Sequence, residues 1–139
     1  MKKVLTSGTF DILHYGHINL LKRARELGDY LLVACSTDQS ALTKGKKCYY
    51  SYDIRKDFLK SIRYVDDVIE VDVRDNDILF YLTQIAIIND ISIYVLGNDY
   101  KDKLQYYNGY EEFNKIVEIK FLERTPNIST TILKNHLDI

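Results

Sequence analysis

The chain has no tryptophan, one proline and two cysteines in its 139 residues. Cys35 and Cys48 fit no metal-ligand spacing, and without an export signal they read as reduced thiols of a cytoplasmic protein. Pro126 is a lone breaker near the end of the chain. No linker, internal repeat or low-complexity tract accompanies it. No apolar run is long enough to cross a bilayer, and the strand after Met1-Lys2-Lys3 is too short for a secretory signal, so no membrane insertion is expected. Net charge is −1, which gives no general attraction to nucleic acid or anionic lipid. There is no Walker A pattern, and no G-x-G-x-x-G follows the first strand, which argues against P-loop kinase and dinucleotide chemistry. No residue is placed as a covalent nucleophile: Ser7 has no evident base, and Cys35 ends a buried strand.

What is present is an alternation of strands and helices in one domain, residues 1–139. Lys3–Thr6 reads as a strand and His17–Leu27 as a helix stopped by Gly28. Tyr30–Cys35 is a continuous apolar run, as in a strand buried on both faces. Ser36–Tyr50 reads as a polar loop. Ser51–Arg63 reads as a helix with Phe58, Leu59 and Ile62 facing inward. Asp67–Val71 is a strand, Asn76–Asn89 a helix and Ile91–Leu96 a strand. The Tyr-rich stretch Asp99–Asn114 has no clear pattern. Ile116–Leu122 is a strand, and Ser129 caps a last helix to Leu137. This order predicts an α/β fold: a Rossmann-like, doubly wound, parallel five-stranded sheet with helices on both faces. Ligands of such sheets sit beyond the strands' carboxyl ends, where Thr6–Asp11, Ser36–Lys46, Gly97–Asp99 and Arg124–Thr131 should gather.

Two of these stretches carry chemistry. Gly8-Thr9-Phe10-Asp11 leads from a strand towards a helix bearing His14-x-x-His17. Unpaired amides at a helix N-terminus bind anions, and imidazoles three residues apart on a helix share a face. A metal site would need a third ligand, and only His136 remains, so no protein metal site is expected. Arg124–Thr131 enters the last helix with a guanidinium and several hydroxyls, a second anion site. Two such entrances in one small domain point to a nucleoside triphosphate. Taken alone, Lys44-x-Lys46-Lys47 is a solvated loop, and Arg55 and Arg63, on one helix, default to surface ion pairs.

Together these residues resemble the cytidylyltransferases of the nucleotidylyltransferase superfamily. Gly8–Asp11 and His14-Tyr15-Gly16-His17 look like the GTFD and HxGH motifs, and Arg124–Thr131 looks like RTxGISTT. Ser36-Thr37-Asp38, Lys44–Lys47, Ser51-Tyr52, Arg55-Lys56 and Ile62–Asp66 are most similar to glycerol-3-phosphate cytidylyltransferases. The resemblance implies transfer of a cytidylyl group from CTP to an alcohol phosphate. His14 and His17 would contact the triphosphate, and Lys44 and Lys46 would flank it. Arg63 would be a cation on the acceptor side, and Arg124 with Ser129 and Thr130 would hold the nucleotide. Gly8, Thr9, Phe10, Asp11, Gly16, Asn98, Asp99, Thr125 and Ile128 complete the implied nucleotide-binding set. Mg²⁺, held by nucleotide phosphates, and a homodimer are implied as well.

The chain departs from the pattern in places. Asn98 stands where the family has an aspartate, and its carbonyl can still accept a hydrogen bond. Asn127 replaces a glycine, and asparagine tolerates a left-handed turn. Residues 99–114 run longer than their counterpart and carry Tyr100, Tyr106, Tyr107 and Tyr110. Other acceptors therefore stay open: another polyol phosphate, ethanolamine phosphate, or choline phosphate in a tyrosine cage. So do adenylyl transfer, raised by Asn98, and nucleotide binding without catalysis.

Overall fold

A computed structural model describes residues 1–126 and 128–137. Five parallel strands form one sheet in the order β3-β2-β1-β4-β5. They are β1 (Lys3–Gly8), β2 (Tyr30–Ser36), β3 (Asp67–Val71), β4 (Ile93–Gly97) and β5 (Glu118–Leu122). The chain winds outward from β1 to β3, then returns to place β4 on the other side of β1. Strand order therefore reverses between β1 and β4, where doubly wound sheets bind ligands.

Successive side chains of each strand point to opposite faces, and this splits the core in two. Val4, Leu31, Val33 and Cys35 pack on one face with Leu21 and Ala24 of α1 (Tyr15–Glu26) and Leu59 of α3 (Tyr52–Lys60). Leu5, Leu32 and Ala34 pack on the other with Leu79, Leu82 and Ile85 of α4 (Ile78–Asn89) and Phe113 of α5 (Tyr110–Ile116). Helices on both faces and an all-parallel sheet agree with the sequence pattern.

Several local expectations change. The first helix begins at Tyr15, not His17, and His14 is its N-cap. The polar loop after β2 contains a short helix, α2 (Asp38–Leu42), capped by Thr37, whose Oγ1 accepts from the Ser40 amide at 3.1 Å. Five residues are too few to register as a helical period. Ser51 occupies the N-cap of α3 without a side-chain hydrogen bond, and α3 ends at Lys60, so Arg63 lies beyond it. Leu59 is fully buried, but its neighbour Phe58 is 46% exposed and does not face the core. The Tyr-rich stretch folds into two 3₁₀ turns and α5, which Gly109 introduces at φ 85°. Tyr100, Tyr107 and Tyr110 pack against the α4 side of the core. The last helix, α6 (Thr130–Leu137), has the expected cap: Ser129 Oγ accepts from the Ile132 amide at 3.0 Å. The turn expected at Asn127 lies outside the described residues.

Candidate active site

The loop from β1 to α1 is bent by two left-handed residues that are not glycine, Phe10 at φ 54° and Ile12 at φ 41°. Such conformations cost on the order of 1–3 kcal/mol each and persist only where the surroundings enforce them. Here they are enforced. Phe10 is buried. The Asp11 carboxylate accepts from the amides of Tyr49 at 2.7 Å and Tyr50 at 3.0 Å, and from Lys134 Nζ at 2.8 Å. Thr130 Oγ1 donates to the Asp11 carbonyl at 3.0 Å. Burial works against ionisation of Asp11, but the Lys134 bond and the two amides outweigh it and hold the carboxyl below its usual range. Asp11 thus anchors α6 and the chain after the lysine loop to the β1 loop.

A second anchor comes from an unexpected quarter. Arg55 is not a surface ion-pair residue; its side chain is completely buried. It donates to the carbonyls of Thr9 at 2.6 Å, Ser36 at 2.8 Å and Tyr50 at 3.1 Å, and to Asp38 Oδ1 at 2.7 Å. One guanidinium therefore fixes the ends of β1 and β2 relative to each other.

The two imidazoles are set by the backbone. Gly16 N–H donates to His14 Nδ1 at 3.0 Å, and His14 N–H donates to His17 Nδ1 at 3.2 Å. Both Nδ1 atoms are acceptors, so each neutral ring carries its proton on Nε2. The rings stack with centroids 3.9 Å apart. Burial, then the His14 ring and nearby Lys46 and Arg124, push His17 down to about pKa 3. Burial and Arg124 lower His14 as well. Two uncharged Nε2–H donors result. Gly16 is required because a Cβ there would stand 2.7 Å from His14 Cε1.

A cleft at the carboxyl ends of the strands has two lobes. The larger, about 410 Å³, is lined by the Gly8–Asp11 loop, His17, Lys44, Lys46, Tyr100 and Lys134. The smaller, about 240 Å³, is lined by His14, Gly16, Asn19, Arg23, Arg124, Thr125, Ile128 and Ser129. His17, Lys46, Gly97, Asp99 and Thr130 belong to both walls. Gly97 permits the approach of Asp99, whose Oδ1 lies 2.6 Å from where a Cβ would be. Thr9 is buried, and its hydroxyl has no hydrogen-bond partner among the described residues. Burial, and then Lys46, depress the Lys44 ammonium.

Most of the expected residues therefore meet in one cleft, but two do not. Asn98 is exposed at the start of a 3₁₀ turn and lines neither lobe, whereas Asp99 lines both. Arg63 is exposed, with its guanidinium 5.6 Å from the Tyr64 ring, and lies at the opposite, amino ends of the strands, where Asp66 meets the start of β2. Asp66 itself accepts from the Leu31 amide at 2.8 Å and pairs with Arg25 at 3.0 Å, a structural role. Asn19, Arg23 and Lys134 were not singled out by sequence. Gly16, Asn19 and Arg23 recur at helical spacing on α1, a polar stripe that could have been read. Asn19 Nδ2 donates to Thr125 Oγ1 at 3.2 Å, and Arg23 donates to the Glu123 carbonyl at 3.0 Å.

A Rossmann-like sheet whose switch point holds neutral imidazoles, lysines and two helix entrances defines a class of nucleotide-transferring α/β proteins. A cytidylyltransferase-like family model matches residues 5–136, and the chain belongs to that family. It is 44% identical to glycerol-3-phosphate cytidylyltransferase of Bacillus subtilis (strain 168), covering 99% of this chain and 98% of that protein. It is 43% identical to the Staphylococcus aureus protein of the same name, covering 99% and 96%. Among solved structures, the lipopolysaccharide core biosynthesis protein from Thermoplasma volcanium is 29% identical with a TM-score of 0.70, covering 90% of this chain and 97% of that one.

Proposed function

We propose that this chain is a one-domain enzyme that makes CDP-glycerol and pyrophosphate from CTP and glycerol 3-phosphate. Full-length identity of 41–44% to three glycerol-3-phosphate cytidylyltransferases carries the reading. The cleft supplies the chemistry. An oxygen of the acceptor phosphate attacks the α-phosphorus of CTP. The bond to the α–β bridging oxygen breaks, and pyrophosphate leaves on the opposite side. His14 and His17 donate from Nε2 to phosphate oxygens as charge builds up. Lys44 and Lys46 add positive charge from the facing loop, and Arg124, Thr125 and Ser129 hold the nucleotide in the smaller lobe. Positioning and charge stabilisation suffice, with no covalent enzyme intermediate.

Mg²⁺ fits this arrangement as a phosphate-bound ion. Among the described residues no cluster of three His, Cys, Asp or Glu side chains could cage a metal. Both Asp11 oxygens are occupied by protein donors, which leaves Asp99 as the carboxylate facing both lobes. Bound there, Mg²⁺ would neutralise charge on the leaving pyrophosphate.

The working unit in this reading is a homodimer in the cytoplasm. The exposed Arg63, remote from the cleft of its own chain, supports a second copy delivering that cation. Mixing His17→Asn with Arg63→Ala chains should then restore part of the activity each lacks alone. No helix among the described residues is long and apolar enough to cross a membrane, and both thiols are free.

The test is pyrophosphate release with CTP or ATP against glycerol 3-phosphate, ethanolamine phosphate and choline phosphate. CTP with glycerol 3-phosphate should give the highest kcat/KM. CTP binding without release from any pair would overturn the reading in favour of a non-catalytic nucleotide-binding protein.

A further inference from the structure

Behind Lys44 the larger lobe continues into a recess of about 40 Å³. Ser7, Lys44 and Tyr100 belong to the walls of both, and Asp75, Tyr94 and Tyr107 close the far end. The Tyr-rich segment and the turn before α4 thus meet behind Lys44.

The polar groups of the recess come in pairs. Ser7 Oγ and the buried Tyr94 hydroxyl share a hydrogen bond of 2.5 Å. Tyr107 donates to Asp75 Oδ2 at 3.0 Å. Asp75 is held in turn by its amide, which donates to Thr43 Oγ1 at 2.9 Å, one residue before Lys44. Among the described residues neither Asp75 Oδ1 nor the Tyr100 hydroxyl has a hydrogen-bond partner. The Ser7–Tyr94 pair has two hydroxyl protons and uses one between them, so the other seeks an acceptor. An incoming hydroxyl can accept that proton and donate its own to Asp75. An ammonium group can only donate, and it would leave a buried proton unpaired. The size of the recess adds a limit. A water-sized group needs roughly 10–15 Å³, so there is room for about three. A quaternary ammonium or the tail of a five-carbon polyol does not fit.

We propose that the recess formed by Ser7, Asp75, Tyr94, Tyr100 and Tyr107 reads the hydroxylated end of the acceptor and limits it to a short polyol phosphate of about three carbons. The proposal rests on the acceptor being an alcohol phosphate that places its phosphate near Lys44. It assigns a purpose to a segment for which composition suggested a cation cage. Tyr94 packs edge-on against Phe113 at 79°, with its hydroxyl on Ser7, and Tyr107 turns its hydroxyl to Asp75.

The experiment compares wild type with Ser7→Val, Asp75→Asn and Tyr107→Phe, using pyrophosphate release and CTP binding by calorimetry. Each variant should raise KM for glycerol 3-phosphate at least about tenfold while the Kd for CTP stays within about twofold. Wild type should use ribitol 5-phosphate and ethanolamine phosphate at no more than about one-hundredth of the kcat/KM for glycerol 3-phosphate. Acceptor KM values unchanged in all three variants, or wild-type preference for the longer or the aminated acceptor, would overturn the proposal. A variant that fails to bind CTP is misfolded, and the wild-type panel then decides. If no acceptor supports release while CTP binds, it is the enzymatic reading that fails.

Discussion

The two lobes of the cleft are built in different ways. The nucleotide lobe is walled mainly by two contiguous motifs, the His14–His17 cap and the entrance to the last helix at Arg124, Thr125 and Ile128–Thr131. Hydrogen bonds brace them internally, as when Gly16 reaches His14, and to the β1 loop, as when Thr130 reaches Asp11. The acceptor lobe and its recess add to the Gly8–Asp11 loop single residues from β1, the lysine loop, the turn before α4, β4 and the Tyr-rich segment. Backbone-set groups give the first lobe a fixed shape for a fixed chemistry. Scattered side chains give the second a shape that one substitution can alter without disturbing phosphate binding. One enzyme family can therefore keep its reaction while changing its acceptor.

The largest effect is expected where both lobes share a support. Arg55→Met removes the donors for three carbonyls in the interior and for Asp38. Loss of one partner from such a buried network costs on the order of 3–5 kcal/mol. Urea unfolding should show a drop of that size, with acceptor and nucleotide binding failing together. A stable Arg55→Met protein that loses only one of the two would break the claim that Arg55 serves both lobes.

His17→Asn should separate chemistry from fold. Asn Oδ1 can still accept from the His14 amide, but the Nε2–H donor is gone. Turnover should fall by about 10²–10³, as for other transition-state donors, with circular dichroism unchanged. Near-normal kcat would remove His17 from the chemistry and weaken the whole assignment of the nucleotide lobe.

The contrast between the lobes also explains what the sequence disclosed. The alternation of strands and helices, the two helical layers and the nucleotide motifs follow from local periodicity and adjacent residues, so they were legible. Arg55 was misread because nothing in Asp53–Lys56 shows that the helix turns this guanidinium inward under the β1 loop. Phe58 was misread for the converse reason: an apolar residue beside a buried one takes the exposed face when the helix ends two residues later. Arg63 had a motif but lies at the wrong end of the strands for its own cleft. Lys134 became visible only when α6 placed it on a wall shared with Thr9. Contacts such as Asp11–Lys134 span 123 residues of sequence, and no local pattern encodes them.

Acidity should sharpen the picture of a neutral imidazole pair. The His17 ring has an ordinary value of 6.5 in the unfolded chain and about 3 in the folded one. Between these values the unfolded state binds the extra proton, so stability rises with pH there. This contribution is complete above pH 6.5 and is lost as pH falls towards 3. Thermal midpoints of wild type should therefore decline between pH 6.5 and about 4.5, and His17→Asn should show a shallower slope. Parallel slopes would mean that the ring is protonated in the fold without penalty.

Chelation should act on the reaction and leave the fold alone. With no protein cage for a metal among the described residues, EDTA should abolish pyrophosphate release while the thermal midpoint of the nucleotide-free protein shifts by less than about 1 °C. A marked fall would reveal a structural ion.

The smallest effect on a single chain is expected at Arg63. Its guanidinium is exposed and stands over Tyr64, so Arg63→Ala should change unfolding free energy by no more than about 0.5 kcal/mol. CTP affinity should be unchanged, because the nucleotide lobe lies at the opposite ends of the strands. Turnover is the informative measurement. If it collapses while fold and CTP binding persist, the guanidinium must act on a cleft other than its own, and the acceptor lobe is completed by a second copy. If turnover also persists, each chain carries a whole site, and Arg63 is a surface residue like its neighbours between α3 and β3.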